Sequence, residues 1–130
     1  MNRELTSDNK AAGSSEQVDT FKKLKVWQKA HQLTLGVYQA TRSFPREEVY
    51  GMTSQLRRAA LSTSTNIVEG SRRRTRNDFR HFLNIAQGSN EEVKYLLLVS
   101  RELNYIPATT MEQLSALADE VGAMLYVFIA

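Results

Sequence analysis

The feature of this sequence that most constrains its fold is a repeated spacing of apolar residues, in alternating steps of three and four. The first segment with this spacing contains Val26, Ala30, Leu33, Val37, Ala40 and Phe44. An α-helix turns once every 3.6 residues, so these side chains lie on one face that can be buried. The spacing is typical of a helix in a bundle, and it predicts a first helix over about residues 20–42.

A second segment with the same spacing follows a break at Pro45. We expect its helix to begin near Arg46 and to end at Gly70, with that glycine in the left-handed conformation that closes many helices. Residues 62–66 all have short polar side chains, which favour caps and turns. The apolar positions on either side stay in register, so we expect the helix to continue through them.

The third and fourth helices are expected to begin at capping boxes, in which a Thr hydroxyl and an acidic side chain satisfy the first N–H groups. Thr75 with Asp78 opens the third helix, which runs to the break at Pro107, and Thr109 with Glu112 opens the fourth.

Gly88 and Ser89 lie in the middle of the third helix. Glycine costs about 1 kcal/mol of helix propensity there, so we expect this pair to mark a close contact between helices. Four helices joined by short turns must alternate in direction. The sequence therefore predicts an all-α fold, an antiparallel up-and-down four-helix bundle.

Length and composition set the organisation around this bundle. A chain of 130 residues suits one domain, which we place at residues 21–130. Residues 1–20 lack apolar periodicity, and we expect a flexible N-terminal tail there. No segment has the roughly 20 apolar residues that a membrane span needs. There is no cysteine and no apolar leader at the start, so we expect a cytoplasmic protein.

Charge is unevenly distributed along the chain. Residues 20–80 carry thirteen basic and four acidic side chains, a net charge of +9, whereas residues 81–130 carry a net charge of −4. A positive region of this kind attracts polyanions. Its arginines are the candidate nucleic-acid-binding residues, because guanidinium pairs two-pronged with phosphate. They are Arg57, Arg58, Arg72, Arg73, Arg74, Arg76 and Arg80. The alternative is a solvated basic face, or ion pairs with a neighbouring subunit.

Polar side chains form a seam beside the apolar face of the second helix. The seam consists of Gln55, Arg58, Ser62, Asn66 and Glu69. An acid-base site is one interpretation, but Arg58 and Glu69 are about 16 Å apart along the helix. We therefore favour a structural role in which the seam fixes the helix register through buried hydrogen bonds.

The chain lacks the patterns of an active site. It has only two histidines, without flanking ligand spacing, and contains no phosphate-binding glycine loop or nucleophile elbow. We expect no catalytic residues, no metal site and no cofactor.

Two segments, residues 95–99 and 124–129, have more apolar surface than one core face uses. They predict a homo-oligomer. The expected interface residues are Tyr95, Leu98, Val99, Tyr126, Val127 and Ile129. The alternative is a thick core at one end of the bundle.

A family resemblance covers about residues 21–129. Its residues are Leu24, Val26-Trp27, Ala30, Phe44-Pro45, Glu48, Tyr50-Gly51, Gln55, Arg57-Arg58-Ala59, Ser62, Asn66-Ile67-Val68-Glu69-Gly70, Ala86, Gly88-Ser89 and Glu92. The chain resembles the 23S rRNA-intervening-sequence protein family, also called the four-helix bundle protein family. It departs from the family pattern at Ser64, where members often carry Pro, and at Asn90, where they often carry Leu.

The resemblance implies a homopentamer of up-and-down bundles, in a family often encoded within inserts of bacterial ribosomal RNA genes. The family is similar to the accessory variability protein of diversity-generating retroelements, which binds nucleic acid and a reverse transcriptase. We therefore expect a non-catalytic oligomer that binds structured RNA, or else DNA. The alternative is an oligomeric adapter that recruits a protein partner, such as a reverse transcriptase, without binding nucleic acid itself.

Overall fold

The computed structural model of the protein describes residues 20–130. It contains four α-helices, namely α1 (Lys25–Thr41), α2 (Met52–Ser71), α3 (Arg76–Glu102) and α4 (Ala108–Ile129). Two short 3-10 helices, Thr20–Lys23 and Arg46–Glu48, precede α1 and α2. No strand occurs in the described part of the chain, so the all-α prediction is confirmed. The expected tail, residues 1–20, lies outside the described residues except for Thr20.

Each helix packs against the next along the chain, and α4 also packs against α1. This closes the antiparallel four-helix bundle that the sequence predicts. At the end that we call the Tyr105 end, the α1–α2 turn meets the α3–α4 turn, and the rings of Phe44 and Tyr105 lie 5.3 Å apart. At the opposite end, which we call the Arg end, residues 72–75 join α2 to α3.

The predicted apolar faces form the core. Leu33, Val37, Leu56 and Leu97 are fully buried towards the Tyr105 end. Val26, Ile67, Leu83 and Leu125 fill the core towards the Arg end. None of the described helices combines the length and apolarity needed to cross a membrane.

The polar run at residues 62–66 does not interrupt α2, as predicted, because four of its five side chains bond to the helix or to its neighbours. The Thr63 hydroxyl donates to the carbonyl of Ala59 at 2.9 Å. The Ser64 hydroxyl lies 2.7 Å from that of Thr34 on α1. Ser64 departs from the family pattern, and it joins two helices in the bundle interior.

The predicted start of α2 near Arg46 is wrong. The chain forms a 3-10 turn over Arg46–Glu48, and α2 begins only at Met52. Gly51 interrupts the helix, with φ of −113° and ψ of −112°. The Glu48 carboxylate then accepts the N–H of Met52 at 2.9 Å, so it satisfies a first-turn donor that has no partner within the helix.

The prediction that a left-handed Gly70 ends α2 is also wrong. The helix continues to Ser71, and no described glycine has a positive φ. A Cβ on Gly70 would lie 3.3 Å from the Cβ of Phe82 and 3.4 Å from the carbonyl oxygen of Phe79. The absence of a side chain allows α3 to approach closely, and α3 then buries the glycine. Left-handed geometry occurs instead at Asn104, after α3, where φ is 62°.

Of the two predicted capping boxes, the structure has a side-chain cap at α3 and none at α4. The hydroxyl of Thr75 accepts the N–H of Asp78 at 3.1 Å, which confirms the cap of α3. The capping box predicted at Thr109 is wrong, because α4 already begins at Ala108 behind an extended Pro107 and has no side-chain cap.

The contact predicted at Gly88 and Ser89 is half correct. The Ser89 hydroxyl lies 2.7 Å from that of Ser62 on α2. Gly88 is exposed, and a Cβ there would meet nothing within 4 Å. The prediction therefore holds for Ser89 and is wrong for Gly88.

Candidate nucleic-acid interface

Five arginines surround the turn at the Arg end, and we call them the Arg rim. They are Arg72, Arg73, Arg74, Arg76 and Arg80. The end of α2 and the start of α3 meet here, so residues that are up to eight positions apart share one end of the bundle. Arg72, Arg74 and Arg76 are exposed, and Arg80 is half-buried.

The guanidinium groups of the Arg rim differ in whether they have hydrogen-bond or ion-pair partners within the described protein. Within residues 20–130, the side chains of Arg72, Arg74, Arg76 and Arg80 have no hydrogen-bond or ion-pair partner. Arg73 does, because its Nε donates to the Glu69 carbonyl at 3.1 Å and its Nη2 lies 3.5 Å from the Glu69 carboxylate. The guanidinium of Arg73 also lies 5.1 Å from the ring centre of Phe82.

The electrostatic character of the Arg rim is positive. Residues 69–80 contain five arginines and two acidic residues, Glu69 and Asp78. The first turn of α3 adds partial positive charge from its N–H groups. Asp78 lies in that turn and offsets part of this charge. The remaining excess suits a phosphate-bearing ligand.

Arg57 and Arg58 do not belong to this group. They lie near the start of α2, so a rise of 1.5 Å per residue separates them from Arg72 by about 20 Å. The interpretation of all seven arginines as one cluster around the turn is therefore wrong. The two have the same residue type as the others but lie near the opposite end of the helix.

Arg57 is bound within the bundle. Its Nε donates to the hydroxyl of Thr41 at 2.7 Å, and its Nη2 donates to the Tyr38 carbonyl at 3.3 Å. Its guanidinium lies 4.7 Å from the centre of the Tyr38 ring. These contacts join α2 to the end of α1. No pattern within α2 could reveal them, because both partners are on another helix.

The middle and the ends of the polar seam of α2 differ in burial and in hydrogen bonding. Asn66 donates from its amide to the Ser62 carbonyl at 2.9 Å, and the Ser62 hydroxyl meets Ser89 of α3. Both seam residues are half-buried, whereas Gln55, Arg58 and Glu69 are exposed. The middle of the seam therefore joins two helices, and its ends face solvent.

A groove of about 540 Å³ lies between α2 and α3, on the side of the bundle nearer the Tyr105 end. We call it the α2–α3 groove. It is lined by Tyr50, Ser54, Gln55, Arg58, Ala59, Ser62, Ser89 and Glu92. Three seam residues are among them, whereas sequence reasoning does not identify Tyr50 and Glu92 as site residues. The signal that could have found Glu92 is its position three residues after Ser89, on the same side of α3.

The turn that bears Tyr50 is held by a hydrogen-bonded carboxylate. Glu48 accepts from the N–H of Met52 through Oε1 and from the Tyr105 hydroxyl through Oε2, at 2.7 Å in the latter case. The N–H of Met52 and then the Tyr105 hydroxyl keep the pKa of Glu48 below its ordinary value. The same carboxylate raises the pKa of Tyr105.

The residues expected at an oligomer interface form two groups. On α3, Tyr95 and Leu98 are exposed and Val99 is half-buried. At the end of α4, Tyr126 and Val127 are 70% and 73% exposed, whereas Ile129 packs against the core. Gln87 of α3 bonds to Gly122 of α4, so Tyr126 lies nearer the Arg end than Tyr95 does.

The fold and the sequence are both similar to those of known proteins. A solved structure from Bacteroides thetaiotaomicron, described as a protein with unknown function from the S23 ribosomal protein family, superposes with a TM-score of 0.72. It is 24% identical and covers 80% of this chain and 97% of its own, a likeness that shows the fold. No curated protein matches the sequence. The sequence model of the 23S rRNA-intervening sequence protein family matches residues 22–127. The chain therefore belongs to the 23S rRNA-intervening sequence protein family.

Proposed function

We propose that the protein is a non-catalytic, homo-oligomeric four-helix bundle that binds structured RNA through the Arg rim. The observation that carries this proposal is the group of guanidiniums at one end of the bundle. Four of the five have no side-chain partner among the described residues, so they keep their donors for a ligand. Unpaired arginines concentrated in this way suit a polyanion better than they suit folding.

The family to which the chain belongs is named for an intervening sequence of 23S rRNA, which favours RNA over DNA as the ligand. The guanidinium groups bind phosphate oxygens, which occur in every nucleic-acid sequence. The described helices match no module that reads base edges. Binding through the Arg rim is therefore expected to depend on charge and shape, with little dependence on sequence.

The apolar groups on α3 and α4 support assembly into a homo-oligomer. Tyr95, Tyr126 and Val127 are exposed side chains that a second copy would cover. Assembly would bring several Arg rims onto one particle, and an RNA that touches two of them would bind more tightly than to one. The family resemblance favours a pentamer.

An adapter that recruits another protein is the second candidate. The observation that favours it is the exposed pair Tyr126 and Val127 at the end of α4, which a protein partner would cover as well as a second copy would. In that case the Arg rim would contribute to solubility only. RNA binding by the isolated protein separates the two functions.

The experiment compares RNA affinity between the parent and a variant in which Arg72, Arg74 and Arg76 are replaced by Ala. These three side chains are exposed and make no contact within the described bundle, so the variant is expected to fold normally. A structured RNA hairpin is titrated at fixed salt and followed by fluorescence anisotropy. We expect the variant to bind at least about tenfold more weakly.

The matched control removes Arg42, Arg46 and Arg101, which lie at the Tyr105 end. Both triple variants lose three positive charges, so a general charge effect would weaken both equally. The proposal predicts that the control binds nearly as well as the parent. If the two variants are indistinguishable, or if the Arg-rim variant binds like the parent, the Arg rim is not the RNA site.

A further inference from the structure

The α2–α3 groove is a second surface with its own unpaired groups, about 20 Å along the helices from the Arg rim. We propose that this groove binds one unpaired nucleotide, with its base stacked on Tyr50 and its phosphate held by Arg58. Guanine is the base whose hydrogen-bonding groups match the donors and acceptors that line the groove. The inference deepens the proposed function and rests on it in one respect, namely that this nucleotide belongs to the RNA held at the Arg rim.

Arg58 supplies the phosphate contact. It lies in the second turn of α2, is exposed, and has no hydrogen-bond or ion-pair partner among residues 20–130. Glu92 lines the same groove without forming an ion pair with it. Arg57, one residue earlier, shows the opposite arrangement, since its guanidinium is bound to α1. The free planar fork of Arg58 can take a phosphate in two-pronged geometry.

Tyr50 supplies the stacking surface. It is 94% exposed at the mouth of the groove. Its turn is nevertheless well held, because Gly51 donates its N–H to the Glu48 carbonyl at 2.9 Å and the Glu48 side chain is bonded to Tyr105. An exposed aromatic ring on a fixed backbone resembles the platforms on which single-stranded nucleic acids stack their bases. A paired base cannot use such a platform, so the nucleotide must be unpaired.

The groove walls supply polar groups for the base edge. The Glu92 carboxylate accepts hydrogen bonds only, and the Watson–Crick edge of guanine offers two adjacent N–H donors to such a group. The amide of Gln55 can donate to the guanine carbonyl. The hydroxyls of Ser62 and Ser89 bond to each other and form part of the floor. A volume of about 540 Å³ lies within the usual range for small-molecule sites.

A second copy of the chain is the competing occupant, and the polar lining of the groove argues against it. The centre of a stable homo-oligomeric contact is mainly apolar. The groove instead contains one positive and one negative side chain, an amide and several hydroxyls. A strand that rises about 3.4 Å per nucleotide covers the 20 Å between the Arg rim and the groove in about six nucleotides. One RNA can therefore reach both surfaces.

The test uses guanosine 5′-monophosphate as the probe and the full chain as the protein, with binding measured by calorimetry or by NMR. We expect saturable binding at one site per chain, weaker for adenosine 5′-monophosphate. Replacing Tyr50 or Arg58 by Ala should each lower the affinity about tenfold. Tyr50→Phe keeps the ring and should bind like the parent. Glu92→Gln should remove the preference for guanine, because one acceptor oxygen becomes a donor.

The matched control for Arg58→Ala is Arg42→Ala, an exposed arginine outside the groove, which should leave the affinity unchanged. The inference is overturned if guanosine monophosphate does not bind, or if Tyr50→Ala and Arg58→Ala bind it as tightly as the parent does. It is also overturned if these substitutions cause an oligomer to dissociate and the parent does not bind the nucleotide, since the groove is then an interface between copies. RNA binding through the Arg rim without nucleotide binding refutes this inference alone. Nucleotide binding without RNA binding refutes the proposed function and the link to RNA, but it leaves the groove as a nucleotide site.

Discussion

The hydroxyl of Tyr105, in the turn before α4, donates a hydrogen bond of 2.7 Å to Oε2 of Glu48, in the turn before α2. The two residues are 57 positions apart and join both turns of the Tyr105 end. The other oxygen of the carboxylate accepts from the N–H of Met52. One side chain thus starts α2, connects the two turns and fixes the backbone next to Tyr50.

This hydrogen bond predicts a pH dependence of stability at both extremes. The pKa of Glu48 is lowered in the folded protein, so its contribution is complete above the ordinary value of 4.5 and is lost as the pH falls through the lowered pKa. The pKa of Tyr105 is raised, so its contribution is complete below the ordinary value of 10.0 and is lost as the pH rises through the raised pKa.

Tyr105→Phe separates the two effects, because it keeps the ring against Phe44 and removes the hydroxyl. Free energies of unfolding across the pH range should show that the variant lacks the alkaline loss. Its acid loss should be smaller but still present, because Met52 still donates to Glu48. Tyr50→Phe, which removes an exposed hydroxyl, is the control. Parallel curves for the parent and Tyr105→Phe would disprove the coupling.

The two helical glycines of α2 and α3 should respond oppositely to alanine. At Gly88 a Cβ meets nothing within 4 Å, so Gly88→Ala should raise the free energy of unfolding by about 1 kcal/mol through helix propensity. At Gly70 the added Cβ would lie 3.3 Å from the Cβ of Phe82, so α3 would have to shift by a few tenths of an ångström to admit it. Gly70→Ala should therefore lower the stability by about 1 kcal/mol. Equal responses in chemical denaturation would contradict this account of the two sites.

Asn90 should tolerate no charge. It is fully buried, and its amide donates to the Ala118 carbonyl at 2.8 Å. Asn90→Asp replaces this donor by a carboxylate, and at neutral pH the variant should lose about 3 kcal/mol of stability. Burial raises the pKa of the new carboxyl, so stability should recover as the pH falls. Asn84→Asp, at an exposed position of α3, should change stability by less than about 0.5 kcal/mol. Similar losses in both variants would show that Asn90 is not in a buried polar contact.

The arginines should divide into folding and binding residues. Arg57→Ala removes two hydrogen bonds to α1 and should lower the free energy of unfolding by about 1 kcal/mol, without affecting RNA affinity. Arg74→Ala should weaken RNA binding without changing the free energy of unfolding, because the side chain is exposed and has no partner in the described bundle. Urea denaturation and RNA titration of both variants test this division. An RNA defect in Arg57→Ala with unchanged stability would contradict it.

The helices could be predicted from the sequence because their spacing depends on side chains within one element. Val26, Ala30 and Leu33 are buried as their steps of four and three require. The helix ends depend on groups from elsewhere in the fold. The Glu48 carboxylate determines where α2 begins, and the packing of Phe82 explains the glycine near its end. Local signals at Arg46 and Gly70 could not contain that information.

The same distinction applies to the candidate site. The Arg rim could be predicted because its arginines follow one helix break and begin the next helix. Arg57 could not be separated from them, since Thr41 and Tyr38 belong to α1. The α2–α3 groove depends on the register between two helices, which the sequence does not contain. In the structure this register is shown by the hydroxyls of Ser62 and Ser89, which lie 2.7 Å apart.

The measurement that tests the central claim most directly is the salt dependence of RNA affinity. If about four rim guanidiniums each neutralise a phosphate, the logarithm of the association constant should fall against the logarithm of salt concentration with a slope of roughly −3 to −4. Removing Arg72, Arg74 and Arg76 together should reduce that slope to about −1. An unchanged slope in this variant would contradict the assignment of RNA binding to the Arg rim.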